Sequence, residues 1–137
     1  MRKIALDVGT VRIGIATSDP MGIIASGYET FVRSKDEEGD LIKIARIAEV
    51  KQADTFVIGL PLNMDGTEGE KVIEIRDFAE KLSRFTDKKI VFQDERLTTV
   101  SAEKALIESG MRREKRKQVI DKVAATIILQ SYLNRIG

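Results

Sequence analysis

Carboxylates stand at three places in this chain where their neighbours are mostly apolar. Asp7 stands next to last in the alternating "KIALDV", and "GTVRIG" follows that stretch at once. Asp94 and Glu95 come together where "KIVFQ" stops, and Asp121 interrupts the apolar stretch "VIDKVAATIIL". The sequence contains no histidine and no cysteine. That excludes histidine-based zinc sites, imidazole general bases and thiolate chemistry together. Hydrolytic chemistry must then use carboxylates, hydroxyls, lysine or a hard metal ion. An all-oxygen donor set suits Mg²⁺ or Mn²⁺. Two such ions about 4 Å apart can activate water and stabilise the leaving oxygen of a phosphodiester.

Each carboxylate also has a plainer reading. Asp7 could bond the backbone of its own turn. A strand followed by D-x-G-T is also similar to the first phosphate loop of actin-type and sugar-kinase ATPases, but those need two domains and this chain has room for one. Asp94 and Glu95 point to opposite faces if both are extended, so at most one of them shares a site with Asp7. Either could pair with Arg96, and Thr98 or Thr99 could cap the next helix. Asp121 lies about 100° around its helix from Ile120 and shares a line with Ala125 and Ile128. A carboxylate there is costly unless it is paired, with Lys117 or Lys122 for instance, or holds a metal. Ile120, Val123, Ala124 and Ile127 form the expected core stripe, and the alanines let the helix approach a sheet closely.

Charged residues make up 33% of the chain, yet the net charge is +1. Attraction for phosphate must therefore be local. "MRREKRK" supplies it in Arg112, Arg113, Lys115, Arg116 and Lys117 just before the Asp121 segment, and the high charge suggests a mobile stretch. Such contacts give affinity without reading sequence. In "GLPLNMDGTEGE", Asn63, Thr67 and free backbone N–H groups could contact phosphate from a rim loop, although a simple connecting loop reads equally well. With five Phe and two Tyr, an extensive base-stacking platform is not expected.

The elements that must position these groups follow from periodicity. "KIALDV" and "RIGIATS" alternate as half-buried strands joined by a tight turn, and "IIASGYETFVR" follows as a third, antiparallel strand. Leu41, Ile44, Ala45 and Ala48 predict a helix with acids at its start. "TFVIGL" predicts a strand covered on both faces. Val72, Ile75, Ala79 and Leu82 predict a second helix, starting near Glu68, and "KIVFQ" a fifth strand. A short helix runs from about Val100 to Gly110, and a last one over 115–135. The order β-β-β-α-β-α-β-α-α gives a five-stranded mixed sheet, antiparallel then parallel, with helices on both faces. This is an α/β, RNase H-like arrangement within a single domain, 1–137. No apolar run approaches the roughly 20 residues of a membrane span, and a cytoplasmic location is expected.

Four motifs, "LDVGTVRIGIATSD", "GLPLNMDGT", "DERLTTVSA" and "VIDKVAATIIL", resemble in order and position those of the YqgF family, also called RuvX. These are small bacterial proteins described as Holliday junction resolvase-like and as nucleases for the 5′ end of pre-16S ribosomal RNA. The resemblance implies an RNase H-like fold and selects Glu95 over Asp94. It makes Asp7, Glu95 and Asp121 the expected catalytic and metal-holding acids, with two Mg²⁺ or Mn²⁺ ions. Arg12, Asn63, Arg96 and the 112–117 basic run are the expected nucleic-acid contacts. The implied substrate is structured RNA, the precursor of small-subunit rRNA, acted on by a monomer or homodimer. A junction resolvase acting on branched DNA, and a non-catalytic nucleic-acid-binding protein, are the alternatives.

Overall fold

The computed structural model describes residues 1–96 and 98–137, the side chains of Thr98, Thr99, Val100 and Gln118 excepted. The expected cap by Thr98 or Thr99 therefore lies outside the described residues. The elements run β1 (Arg2–Val8), β2 (Arg12–Ser18), β3 (Ala25–Val32), α1 (Glu37–Val50), β4 (Ala53–Leu60), α2 (Glu70–Leu82), β5 (Lys89–Asp94), α3 (Thr98–Glu108) and α4 (Arg113–Ile136). They form one sheet ordered β3-β2-β1-β4-β5. β1 pairs antiparallel with β2, and β2 with β3. β1 and β5 both lie parallel to β4. The tight β1–β2 turn closes through the Gly9 N–H, which donates to the Arg12 carbonyl at 2.9 Å. Helix α1 begins at Asp36, whose carboxylate accepts from the Gly39 N–H at 3.0 Å, with Glu37, Glu38 and Asp40 in the favourable first turn.

Two cores lie on opposite faces of the sheet. On one, Ile4, Leu6, Ile13, Ile15, Phe56 and Ile58 pack against Leu41, Ile44 and Ala48 of α1 and Val72, Ile75 and Leu82 of α2. On the other, Ala5, Ala16 and Val57 pack against Ala125, Ile128, Leu129, Tyr132 and Leu133 of α4. The alternation of β1 predicts one buried face. Both are buried, with Ala5 and Leu6 each fully covered, because α4 lies directly on the second. Small residues permit this. A Cβ built on Gly14 would collide with the Asp121 carbonyl group. The strand surface and the helix backbone are in direct contact there.

Helix α4 differs from expectation in two respects. Its deepest stripe is Ala124, Ala125, Ile128, Leu129, Tyr132 and Leu133, while Ile120, Val123 and Ile127 are only partly buried. The helix is rotated toward the Asp121 side, since Ala125 and Ile128 reach the sheet through its small residues. The basic run is not a separate segment preceding the helix either. Residues 113–117 are the first turn of α4 itself. Helix α3 packs on α4, and Gly110 joins them at φ +79°, a backbone region that favours glycine.

Candidate active site

Parallel strands β1, β4 and β5 end at the same edge of the sheet, where ligands of α/β folds gather. Asp7 is the penultimate residue of β1, on the same face as Ala5 and hence toward α4. Glu95 follows β5 directly, and its backbone N–H donates to the Leu60 carbonyl at 3.0 Å, which ties it to the end of β4. Asp121 comes from the part of α4 that rests on Gly14. All three line one pocket of about 360 Å³, together with Gly9, Pro61, Leu62, Met64, Lys71 and Arg96.

The two strand-end acids crowd one another. Glu95 is buried, only 8% exposed, and it shares a hydrogen bond with Asp7. Burial first, then the Asp121 charge, pushes the Asp7 carboxyl up from 3.8 to about 6. Burial first, then the Asp7 charge, pushes Glu95 up from 4.5 to about 8. Near neutral pH the pair therefore holds one proton between two carboxyl groups, with Glu95 donating to ionised Asp7. The Lys71 charge opposes both shifts. Space for the Glu95 carboxyl comes from β4: a Cβ on Gly59 would approach its Cδ to 2.9 Å and its Oε2 to 3.0 Å.

The partner of Asp121 is neither Lys117 nor Lys122, the pairing offered as its plainer reading, but Arg12. Asp121 Oδ2 accepts from Arg12 Nε at 3.0 Å. Among the described residues no three acids converge into a ready-made metal cage; Asp7 and Glu95 form a close pair, and Asp121 is held toward Arg12. The donor set is nonetheless all oxygen, and its crowded pair lacks only a compensating cation. That suits a hard divalent ion, with Asp7 and Glu95 as the residues able to hold it and Asp121 on the wall of the same pocket.

The residues expected to grip phosphate are distributed otherwise. Arg12 serves Asp121. Arg96 pairs with Asp94 at 2.8 Å and donates from Nη1 to the Met64 carbonyl at 3.1 Å, so Asp94 faces away from the acidic pair and pins the rim loop. Asn63 donates to Thr67 Oγ1 at 2.9 Å, and Thr67 donates its N–H and hydroxyl to Asp65 Oδ1. That loop satisfies its polar groups internally. Arg116 bonds Glu103 at 3.2 Å and the Met111 carbonyl at 2.8 Å, while Arg112, Arg113, Lys115 and Lys117 are exposed. Lys71 is the pocket residue that sequence reasoning misses. A lysine in the first turn of a helix reads as solvated, and only the fold turns it toward the acids.

The architecture is that of an RNase H-like α/β domain with an acidic pocket at its strand ends. RuvC of Thermus thermophilus in complex with a Holliday junction substrate superposes with a TM-score of 0.59 at 11% identity, covering 100% of this chain and 97% of that one. A second structure of Thermus thermophilus RuvC gives 0.57 at 13% identity. In sequence, the family described as "RuvX: Holliday junction resolvase" matches residues 1–135, and the chain belongs to that family. A relative from Clostridium acetobutylicum is 46% identical over 136 residues, covering 99% of this chain and 100% of its own. Another from Halalkalibacterium halodurans is 49% identical over 136 residues, covering 98% and 97%. Both carry the name "Putative pre-16S rRNA nuclease".

Proposed function

We propose that this protein is a divalent-metal-dependent nuclease that trims the precursor of small-subunit ribosomal RNA in the cytoplasm, with residues 1–137 acting as one nuclease domain. The observation that carries the reading is the close pair of half-buried Asp7 and buried Glu95. Two carboxyl groups forced to share a proton at the ends of parallel strands are poorly explained by stability, since each raises the cost of ionising the other. They are well explained as a seat for Mg²⁺ or Mn²⁺. The names of relatives at 46% and 49% identity support the RNA substrate.

In this reading Asp7 and Glu95 hold the metal, and Asp121, oriented by Arg12, completes the donor set. Mg²⁺ or Mn²⁺ held by these residues would supply activation of the attacking water and neutralisation of the leaving oxygen. The exposed cations Arg112, Arg113, Lys115 and Lys117 steer the phosphate backbone toward the pocket. Arg96 and Asn63 act by shaping the rim over which the backbone passes. The test is incubation of the protein with precursor rRNA and with a four-way DNA junction, each with Mg²⁺ and with Mn²⁺, beside Asp7→Asn. Cleavage of the RNA that disappears in a folded Asp7→Asn variant is expected. Full activity of that variant would overturn the assignment.

The family's description favours a second reading, a junction resolvase using the same pocket. Symmetric cutting of two strands would require a homodimer. Paired nicks in the junction together with a dimer in solution would select it over the RNA reading.

A further inference from the structure

Resting on the nuclease reading, we infer that Lys71 is a phosphate-contacting residue of this pocket, seating a non-bridging oxygen of the phosphodiester beside the Asp7–Glu95 pair. Two cationic side chains line the pocket, Arg96 and Lys71. Arg96 is committed by its two-point pairing with Asp94 and its bond to the Met64 carbonyl. Lys71 is not. Among the described residues its one ion-pair partner is Glu74, at 3.7 Å, which is beyond hydrogen-bond reach. Its side chain is 41% exposed, so the ammonium is open to an incoming group. It is also close enough to Asp7 and Glu95 to act electrostatically on each.

A phosphodiester entering here brings a negative charge toward carboxylates, and a mobile ammonium on the same wall offsets that repulsion. The neighbouring groove, which Lys71 also lines, does not compete for the phosphate. It is lined by Glu37, Asp40, Glu74 and Asp77 beside Arg33 and Lys35, without the Asp7–Glu95 pair that holds the metal in the nuclease reading and so draws a phosphate. Arg33 is moreover bound to the Gly9 carbonyl at 2.7 Å. The phosphate seat therefore lies on the Asp7 side of Lys71.

The test measures binding without cleavage, in an Asp7→Asn background and without divalent metal. The probes are a labelled RNA hairpin and a labelled four-way DNA junction, followed by anisotropy over a range of KCl concentrations. Lys71→Met should raise Kd roughly three- to tenfold, as loss of one charge-assisted contact does. It should also reduce the slope of log K against log salt by about 0.7–0.9, as loss of one phosphate contact does. Lys71→Arg should restore both, and Lys43→Met, on the exposed face of α1, should change neither. The inference is overturned if Lys71→Met matches its parent in Kd and slope for both probes, or if Lys43→Met shows the same loss. A parent that binds the probes while wild-type protein cleaves neither leaves the contact standing and removes the nuclease reading. A parent that binds neither probe removes both.

Discussion

Arg12 Nε lies 3.0 Å from Asp121 Oδ2 and joins residues 109 positions apart. The bond links the first residue of β2 to α4 across the edge of the acidic pocket. With the two side chains 42% and 22% exposed, solvent screens the pair, and its worth to stability is at most about 1 kcal/mol. Its larger effect is directional, because a carboxylate held by a guanidinium has one orientation rather than several. Arg12→Gln should therefore leave the urea midpoint almost unchanged while lowering kcat roughly 10–100-fold, as loss of a ligand-orienting partner does. Arg12→Lys should recover only part of that, since a point charge does not reproduce the planar donor. Paired denaturation and single-turnover measurements check both.

Adjacent acids should behave very differently. Glu95 is buried against Asp7, and Asp94 is exposed and bound to Arg96. Glu95→Gln should abolish metal-dependent cleavage and, in metal-free protein above pH 8, raise thermal stability by removing the repulsion. Asp94→Asn should leave cleavage chemistry intact and raise KM by loosening the loop that Arg96 pins through Met64. A single-turnover rate with each variant, alongside melting curves without metal, separates the two.

Metal-free stability should fall as the solution is made alkaline. Asp7 and Glu95 release their protons near 6 and 8 in the folded chain, against 3.8 and 4.5 ordinarily. Between those limits the folded state holds protons that the unfolded state has lost, so ΔG of unfolding decreases with rising pH. The favourable contribution is complete below about pH 4 and gone above about pH 8. Where Glu95 alone still holds its extra proton, between about 6 and 8, the slope approaches 1.4 kcal/mol per pH unit at most, about one proton's worth. Urea unfolding across that range should show the decline, and Glu95→Gln should flatten it. Because ligands must be ionised to bind metal, stabilisation by Mg²⁺ should grow over the same interval.

Two glycines should resist the smallest possible substitution. A methyl at Gly14 would overlap the Asp121 backbone, so Gly14→Ala must push α4 off the sheet, at a cost of about 1–3 kcal/mol or more. Gly59→Ala would press on Ile128 Cδ1 at 2.7 Å and on the Glu95 carboxyl. Its expected signature is weaker Mn²⁺ binding, measured by calorimetry, out of proportion to its loss of stability.

Much of the frame was legible because it follows from local pattern. The alternation of "RIGIATS" marks β2 over 12–18 as observed, and the order of elements fixes the mixed sheet. The three acidic segments do reach one pocket. Other features depend on contacts between distant parts of the chain. β1 reads as half-buried because nothing local announces that α4 will cover its Ala5 face. Asp121 reads as a partner for a lysine on its own helix, yet it meets Arg12, which only the packing on Gly14 brings within reach. The periodicity of β5 cannot decide between Asp94 and Glu95, since both follow the end of the run; the bond from the Glu95 N–H to Leu60 turns Glu95 inward. Lys71 carries no local signal at all.

The contact between Gly14 and α4 fixes the height of the helix above the sheet. Asp121 sits at it, and the basic first turn of the helix overhangs beyond. Residue 113 is eight positions away, about 12 Å along the axis at 1.5 Å per residue. On the other side of the contact Ala125, Ile128, Leu129 and Leu133 are packed into the core, so Asp121 stands where the deeply packed part of the helix begins. The register of the acid is thus set by backbone contact with the sheet rather than by its own side chain.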